Sequence, residues 1–313
     1  MILRGALSNM KKSLVILAGP TAVGKTDLAI QLAIGLQTEI INADSRQVYR
    51  EMRIGTAVPA DSDLARVKHH CLLHKSIHDR YNASMFELEV TDLLPALFSK
   101  ADAVIMAGGS GMYINAVCQG IDDIPDVDPA LRERLLAEFE NEGLAVLKAR
   151  LRQADPAYYS RVDLNNPKRI LKALEITEMT GRPYSSFLTG KSKPREFNII
   201  RVGLDRPRSE IHERINRRVD AMMEAGLVSE AKELYPFRQL NALNTVGYKE
   251  IFDYIDSGHS IEMAVEQIKG HTRQYARRQL TWFRRDQHMQ WFHPDNADGV
   301  MAHIEKEMKR LWN

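Results

Sequence analysis

The stretch Gly19-Pro20-Thr21-Ala22-Val23-Gly24-Lys25-Thr26 is a complete G-x-x-x-x-G-K-T phosphate-binding loop. An apolar run at residues 14–18 precedes it, and Leu28, Leu32 and Leu36 recur every four residues after it, so a strand and a helix are predicted on its two sides. Its glycines let successive N–H groups surround an oxyanion, Lys25 adds a charge, and Thr26 offers a hydroxyl to Mg²⁺. The alternative, an ordinary strand-turn-helix, fits these flanks less well.

Two further strand patterns end in polar or glycine-rich tips. Residues 39–43 run into Asp44-Ser45-Arg46-Gln47, and residues 103–107 run into Gly108-Gly109-Ser110-Gly111. Open parallel sheets bind ligands at the carboxyl ends of their strands. With further strand patterns at 198–204 and 289–292, the sequence predicts an α/β fold, a P-loop NTPase-like parallel sheet with flanking helices.

The strand pattern is interrupted from residue 122 to residue 195, where helical patterns dominate. Helices are predicted at 129–141, 144–152 and 167–180, the last with Asn166 as its cap, Pro167 at its first position and Gly181 at its end. We therefore expect a core domain formed by residues 13–121 and 196–313, a helical insert at 122–195, and a loose N-terminal extension at 1–12.

Composition indicates a soluble globular protein. The 313 residues are 44% hydrophobic and 27% charged, no apolar run is long enough to cross a bilayer, and no signal-peptide pattern opens the chain. Cys71 and Cys118 are too few for a disulfide framework, which favours a cytoplasmic location. With a net charge of only +2, binding to a polyanion would depend on local basic clusters.

The phosphate loop alone leaves the reaction open. Most such loops hold ATP or GTP beside a strand that ends in Asp, and the strand at 103–107 ends without an acid. A P-loop kinase of a small molecule or nucleotide is still favoured by the motif, since Asp44 could support the metal. A loop that stabilises diphosphate as a leaving group is the alternative.

Several motifs along the chain, the phosphate loop included, decide between a kinase and an enzyme that releases diphosphate. They are, in chain order, Gly19-Pro20-Thr21-Ala22-x-Gly24-Lys25-Thr26, Asn42-Ala43-Asp44-Ser45-Arg46-Gln47-Val48-Tyr49, Ile54-Gly55-Thr56-Ala57, Gly108-Gly109-Ser110-Gly111-Met112-Tyr113, Arg214-Ile215-x-x-Arg218, Thr245-Val246-Gly247-Tyr248-Lys249-Glu250 and Thr272-Arg273-Gln274-Tyr275-Ala276-Arg277-Arg278-Gln279-x-Thr281-Trp282-Phe283-Arg284. From about residue 13 to residue 292 the chain closely resembles the tRNA dimethylallyltransferases. The resemblance implies transfer of a dimethylallyl group from dimethylallyl diphosphate to N6 of adenosine 37 in the tRNA anticodon loop.

The resemblance also implies roles for particular residues. Asp44 is expected to act as the base that takes the N6 proton, with Ser110, which stands where the family usually has Thr, and Lys25 as further catalytic residues. The diphosphate is expected to bind to residues 19–26, to Arg214 and Arg218, and to Mg²⁺ held by Thr26. On spacing alone, the two arginines could equally form a solvated basic face.

Contacts with the tRNA anticodon stem-loop are expected from a wider set. It comprises Asp44, Ser45, Arg46, Gln47, Ser110, Arg132, Lys168, Arg169, Lys172, Arg273 and Arg277. The family's usual His-Pro-Asn-Asp before the helix at 167 reads Asp163-Leu164-Asn165-Asn166 here, which leaves base contacts there open. A non-catalytic RNA-binding protein is the third hypothesis, and a monomer is the default.

Two groups of residues are interpreted as structural. Tyr275, Trp282 and Phe283 are predicted to be core side chains and not platforms for base stacking. His69, His70 and His74 lie close together in sequence, but without cysteine or acid partners at ligand spacing they are predicted to be loop histidines.

Overall fold

A computed structural model describes residues 12–258 and 260–312. Its sheet has six strands in the order β3-β2-β4-β1-β5-β6, and every pairing in it is parallel. The strands are β1 (Ser13–Ala18), β2 (Ile40–Asn42), β3 (His69–His70), β4 (Ala103–Gly108), β5 (Asn198–Leu204) and β6 (Gln290–Phe292). The predicted P-loop NTPase-like α/β fold is confirmed.

The described part of the chain also contains α-helices. They are α1 (Lys25–Gly35), α2 (Asp61–Leu64), α3 (Ala83–Phe98), α4 (Gly111–Gln119), α5 (Pro129–Glu142), α6 (Leu144–Ala154), α7 (Pro156–Tyr159), α8 (Pro167–Thr180), α9 (Arg208–Glu224), α10 (Leu227–Leu234), α11 (Tyr248–Ser257), α12 (Ile261–Phe283) and α13 (Ala297–Trp312). None of the helices in these residues is long and apolar enough to cross a membrane.

Strand β1 pairs with β4 on one side and with β5 on the other, and all six of its residues are buried. A continuous apolar strand is what a sheet covered on both faces requires. The core on one side of the sheet is formed by apolar residues of α1 and α13, including Leu28, Leu32, Val300 and Ile304.

The chain divides into two compact units, one of residues 12–118 and 194–312, the other of residues 119–193. The second unit is helical and has its own apolar core, which includes Leu135, Leu147, Leu151 and Ile170. Asn166 caps α8 by accepting a hydrogen bond from the N–H of Arg169, at 3.3 Å, as the sequence predicts. Residues 1–11 of the expected N-terminal extension lie outside the described residues. Lys12 forms a salt bridge with Asp102, with 2.6 Å between Nζ and Oδ1.

The backbone segments at the carboxyl ends of β2 and β4 approach each other very closely. The N–H of Ala43 donates to Ala107 O at 2.8 Å, and the N–H of Ser110 donates to Ala43 O at 3.1 Å. A Cβ on Gly108 would lie 2.1 Å from Ala43 O, so only glycine fits there. The tips that follow these strands are therefore forced into one place.

Residues 43–60, which follow β2, contain no helix and only a single bridge pairing, at Tyr49. Glu230 on α10 holds one end of this segment. Its Oε2 accepts the N–H groups of Arg53 at 3.0 Å and Ile54 at 2.8 Å, and its Oε1 accepts that of Gly55 at 2.9 Å. The Tyr248 hydroxyl donates to the same Oε1 at 2.6 Å. One carboxylate thus fixes a turn that has no periodic structure of its own.

We predict that Glu230→Gln lowers the free energy of unfolding by about 1–3 kcal/mol, because the amide NH₂ would face N–H donors and leave them without an acceptor. Urea unfolding followed by circular dichroism measures the change. Glu233→Gln is the matched control, since Glu233 is exposed on the same helix and its loss should change stability by less than about 0.5 kcal/mol. Equal losses in the two variants would contradict the anchoring role.

Candidate active site

The tips of β1, β2 and β4 open into a cavity of about 510 Å³. Its walls include the phosphate loop, Asp44 after β2, Gly109 after β4, and Arg214 and Arg218 from α9. The structure therefore brings the predicted diphosphate residues and the predicted base to one cavity.

The phosphate loop is shaped by cations that bind its carbonyl groups. Lys25 Nζ donates to Gly19 O at 2.9 Å and to Pro20 O at 2.7 Å. Arg214 Nε donates to Ala22 O at 2.7 Å, and Arg206 Nε donates to Val23 O at 2.9 Å. Carbonyl oxygens that would repel an anion are thereby occupied, while the first amides of α1 have no acceptor within the helix. The loop is prepared to bind an anion through its N–H groups.

Two loop residues have left-handed backbone conformations. Gly24, which precedes α1, has φ of 108°, and Ala22 has φ of 63°. Glycine adopts this region freely, whereas an L-residue such as Ala22 pays about 1–2 kcal/mol for it. The bonds of Arg214 and Arg206 to this part of the loop hold the strained turn in place.

The cavity concentrates positive charge. Burial lowers the pKa of Lys25 to about 7, with a further lowering by Arg218 and an opposite effect from Asp44. Burial also lowers the pKa of Arg218, again opposed by Asp44. On the cavity wall Lys25, Arg214, Arg217 and Arg218 outnumber the carboxylates of Asp27, Asp44 and Asp63, so the site favours the entry of an anion.

Asp44 is fixed by the turn that it begins. Its Oδ1 accepts the N–H of Arg46 at 2.8 Å and that of Gln47 at 3.3 Å. Asp44 also lines a second cavity of about 330 Å³, and it shares this position with Thr21 and Arg218. The carboxylate therefore lies on the wall between the two cavities. The first cavity is lined by the phosphate loop, and the second is lined by residues of α9, of α12 and of the turn before α11.

Ser110 is hydrogen-bonded to Ser45 at the tip of β4. Its Oγ accepts the N–H of Ser45 at 2.8 Å and lies 3.2 Å from the Ser45 hydroxyl. The backbone bond from Ser110 to Ala43 sets this register, which places its short side chain beside residue 45. Ser110 is buried and does not line the cavity beside the phosphate loop, so its direct effect is on Ser45.

Arg46 and Gln47 use their donors within the protein. Arg46 donates from its guanidinium to Asn241 O at 2.9 Å, and Gln47 donates from Nε2 to Thr56 O and Ala57 O, both at 3.0 Å. A paired contact of Gln47 with an adenine edge uses one amide N–H and the carbonyl oxygen, so one of these two bonds would have to be given up. In this structure the Gln47 carbonyl oxygen is the part left for a ligand.

Neither Gln279 nor His69 is expected in the site from the sequence, although both line the cavity beside the phosphate loop. Gln279 is buried on α12; its Oε1 accepts the Thr21 N–H at 2.8 Å, and its Nε2 donates to Gly109 O at 2.9 Å. It joins the phosphate loop to the tip of β4 across more than 160 residues of sequence. His69 lies in β3, where burial lowers its pKa; the interpretation of it as a loop residue is wrong.

The basic residues expected to contact tRNA lie in several places. Arg273 and Arg277 line neither cavity beside Asp44 but a third one, of about 590 Å³, together with Arg206, Arg208 and Arg284. In the helical unit, Arg132 is exposed and paired with the buried Glu175 at 3.3 Å. Lys168 and Arg169 are exposed in the first turn of α8, and Lys172 is half-buried one turn further on.

The aromatic residues of α12 divide into two kinds. Phe283 is buried, as the sequence predicts. Tyr275, in contrast, lines the smaller cavity, where burial and Asp44 raise its pKa, and Trp282 is 38% exposed. The core interpretation is wrong for these two, because the face of α12 that carries them turns toward the site and the solvent.

The sequence matches the model of the IPP transferase family over residues 47–286. The tRNA dimethylallyltransferase 2 of Parabacteroides distasonis is 52% identical over 296 residues, which is 95% of this chain and 99% of that protein. The tRNA dimethylallyltransferase 1 of Bacteroides fragilis is 48% identical over 298 residues, again 95% of this chain and 99% of the relative.

Solved structures show the same likeness. The full-length tRNA isopentenylpyrophosphate transferase of Bacillus halodurans is 34% identical with a TM-score of 0.70, and the alignment covers 96% of this chain and 98% of that one. A eukaryotic dimethylallyltransferase acting on tRNA is 27% identical with a TM-score of 0.72, over 87% of this chain and 69% of that one. With its sequence, its sheet and its phosphate loop in agreement, this chain belongs to the IPP transferase family.

Proposed function

We propose that this protein transfers a dimethylallyl group from dimethylallyl diphosphate to N6 of adenosine 37 in tRNA, giving N6-(dimethylallyl)adenosine and diphosphate. The observation that carries the proposal is the shared cavity, where Asp44 faces the phosphate loop, Arg214 and Arg218. Relatives named tRNA dimethylallyltransferase, at about half identity over nearly the full chain, support it.

The reaction needs a base because the exocyclic amine of adenine is a weak nucleophile. In the proposed step the N6 nitrogen forms a bond to C1 of the dimethylallyl group, the C1–O bond breaks, and its electron pair leaves with diphosphate. The N6 proton passes to the Asp44 carboxylate. Asp44 is suited to this role because its backbone bonds fix it at the wall between the two cavities.

Charge that develops on the leaving group would be stabilised by the phosphate loop. Lys25, Arg214 and Arg218 provide positive charge, and the first amides of α1 provide N–H donors in a preorganised arrangement. Such groups stabilise the transition state more than the ground state, because the diphosphate gains charge as the C1–O bond breaks.

Mg²⁺ fits the same place. The side chains beside the phosphate loop offer oxygen donors, among them the exposed hydroxyl of Thr26, and oxygen is the donor type that Mg²⁺ requires. Thr26 would hold the ion together with diphosphate oxygens, and the ion would supply further neutralisation of the leaving group.

Adenosine 37 must leave its stack to present N6 to Asp44, since reacting atoms have to approach in line. The smaller cavity, with Tyr275 and Arg278 on its wall, is a suitable place for the displaced base. Ser45, Arg46, Arg132, Lys168, Arg169, Lys172, Arg273 and Arg277 are the proposed contacts to the RNA. We place the reaction in the cytoplasm and assign the protein as a monomer.

A P-loop kinase is the weaker alternative. Its own support is the phosphate loop, but β4 ends in Gly108 without the acid that usually supports the metal in such enzymes. The names of the relatives favour prenyl transfer to tRNA over phosphoryl transfer.

The test is to incubate the protein with dimethylallyl diphosphate, Mg²⁺ and an anticodon stem-loop RNA that carries adenosine 37. We expect release of diphosphate and a mass gain of one dimethylallyl group on the RNA, both without ATP. An RNA with guanosine at position 37 is the control, because it lacks the N6 amine. ATP consumption would support a kinase, and RNA binding without turnover would support a binding protein.

We predict that Asp44→Asn lowers kcat by at least about a hundredfold, the usual effect of removing a general base. Asparagine keeps an oxygen for the N–H groups of Arg46 and Gln47, so the turn should stay intact. Single-turnover kinetics with saturating RNA measure the rate, and calorimetry checks that the diphosphate substrate still binds. Turnover equal to that of the unchanged protein would exclude Asp44 as the base.

We predict that affinity for dimethylallyl diphosphate falls as pH rises from 7 to 9. The pKa of Lys25 in the free protein is about 7, so below pH 7 the ammonium is already charged, and above it a proton must be taken up on binding. The loss is at most about tenfold per pH unit. Calorimetry in the absence of RNA measures the dissociation constant, and Lys25→Met should bind more weakly with a flatter profile. Identical slopes in the two proteins would remove Lys25 as the titrating group.

A further inference from the structure

Among the described residues, one cluster of metal-ligating side chains lies outside the cavities discussed above. Cys71 and His74 belong to the turn after β3, and Glu89 lies on α3; their ligand atoms are all within 4.8 Å of one another. The sequence interpretation that these histidines have no cysteine or acid partner is wrong for His74, because α3 brings the acid from 15 residues away.

The distances in the cluster approach those of a tetrahedral zinc site. Cys71 Sγ lies 3.7 Å from Glu89 Oε1, and His74 Nε2 lies 2.7 Å from the same oxygen. Zinc bonds of about 2.0–2.3 Å at tetrahedral angles separate ligand atoms by about 3.3–3.5 Å. The Cys71–Glu89 separation is close to this range, and the His74–Glu89 separation would have to widen by a fraction of an ångström.

The ring nitrogens of His74 are poorly satisfied, because Nε2 faces Glu89 Oε1 and Nδ1 has no hydrogen-bond partner. Both ring nitrogens are inaccessible to solvent, and the approach of Nε2 to Glu89 Oε1 does not have the angles of a hydrogen bond. Leaving a buried polar atom unsatisfied lowers the free energy of unfolding. A metal ion at Nε2 would remove part of that cost.

The two oxygens of Glu89 have separate partners. Oε2 accepts the Tyr81 hydroxyl at 2.9 Å and lies 3.1 Å from Lys75 Nζ, whereas Oε1 faces Cys71 and His74. Outer partners that orient a ligating carboxylate are typical of metal sites. The charge of Lys75 is balanced on the far oxygen and leaves Oε1 directed to the ion.

The backbone around the cluster is strained and firmly bonded. Cys71 has φ of 56° and Leu73 has φ of 50°, both in the left-handed region that non-glycine residues seldom adopt. The Leu73 N–H donates to Gln47 O at 2.9 Å, and the Lys75 N–H donates to Val48 O at 3.0 Å. The turn thus holds Cys71 and His74 close together and bonded to residues 47–50, the segment that follows Asp44.

We propose that Cys71, His74 and Glu89 form a zinc site, with water as the fourth ligand, which braces the turn behind residues 47–50. A thiolate, an imidazole and a carboxylate together suit Zn²⁺ better than Mg²⁺ or Ca²⁺, which prefer oxygen ligands. Binding replaces the thiol proton of Cys71, which is released to solvent. The site is structural and lies apart from the residues proposed to bind diphosphate.

Co²⁺ substitution tests the proposal in the full-length protein after treatment with a chelator. We expect one Co²⁺ per chain with a thiolate-to-cobalt charge-transfer band in the near ultraviolet. Cys71→Ser should lose the band, and Cys118→Ser, which changes the other buried free cysteine, should retain it. A wild-type protein without the band, or a band that survives in Cys71→Ser, overturns the proposal.

Zinc affinity provides a second measurement that does not depend on one variant folding. In competition with a chromophoric chelator, His74→Gln and Glu89→Gln should each bind Zn²⁺ at least about tenfold more weakly, as loss of a ligand requires. The exposed His78, four residues from His74, supplies the matched control His78→Gln, with unchanged affinity. In the unaltered protein, Zn²⁺ should also slow hydrogen exchange at residues 47–50, and equal exchange with and without Zn²⁺ would contradict the bracing role.

Discussion

The site depends on cations that bind the carbonyl groups of the phosphate loop. A loop of this kind binds anions only if its N–H groups face the ligand, and the carbonyls must then point elsewhere and find donors. Lys25 supplies two of the donors from within the loop. Arg206, which follows β5, and Arg214, on α9, supply the others from the second half of the chain. The anion site is therefore complete only when the second half of the protein has folded against the first.

This arrangement also sets up a competition for Lys25. Without a ligand its ammonium is held by Gly19 O and Pro20 O in a buried place that favours the neutral amine. A diphosphate would offer the ammonium a full negative charge, and charge-assisted bonds are about twice as strong as neutral ones. The same side chain thus shapes the empty loop and responds to its ligand.

Local patterns predicted the fold well because they depend on neighbouring residues. The apolar run of β1, the phosphate loop and the punctuation of α8 by Asn166 and Gly181 each act within a few residues. Contacts between distant residues left no such signal. Gln279 meets Thr21 across 258 positions, and Glu230 meets the turn at 53–55 across more than 170. β3 has only two residues, too few for a periodicity to show.

The segment at 43–60 explains why these distant contacts matter for the chemistry. It carries Asp44, yet it has almost no repeating backbone bonds, so its conformation must be imposed from outside. Glu230 holds one part of it, Arg218 donates to Thr56 O at 3.2 Å, and the turn at 71–75 pairs with residues 47–50. A base that must reach a particular nitrogen tolerates displacement poorly, since a shift of about 1 Å can cost a hundredfold in rate. Substitutions at Glu230 or in the turn at 71–75 should therefore alter turnover without touching either substrate, whereas Arg218 also lines the proposed diphosphate site. The precision of Asp44 is a property of the three elements that surround it.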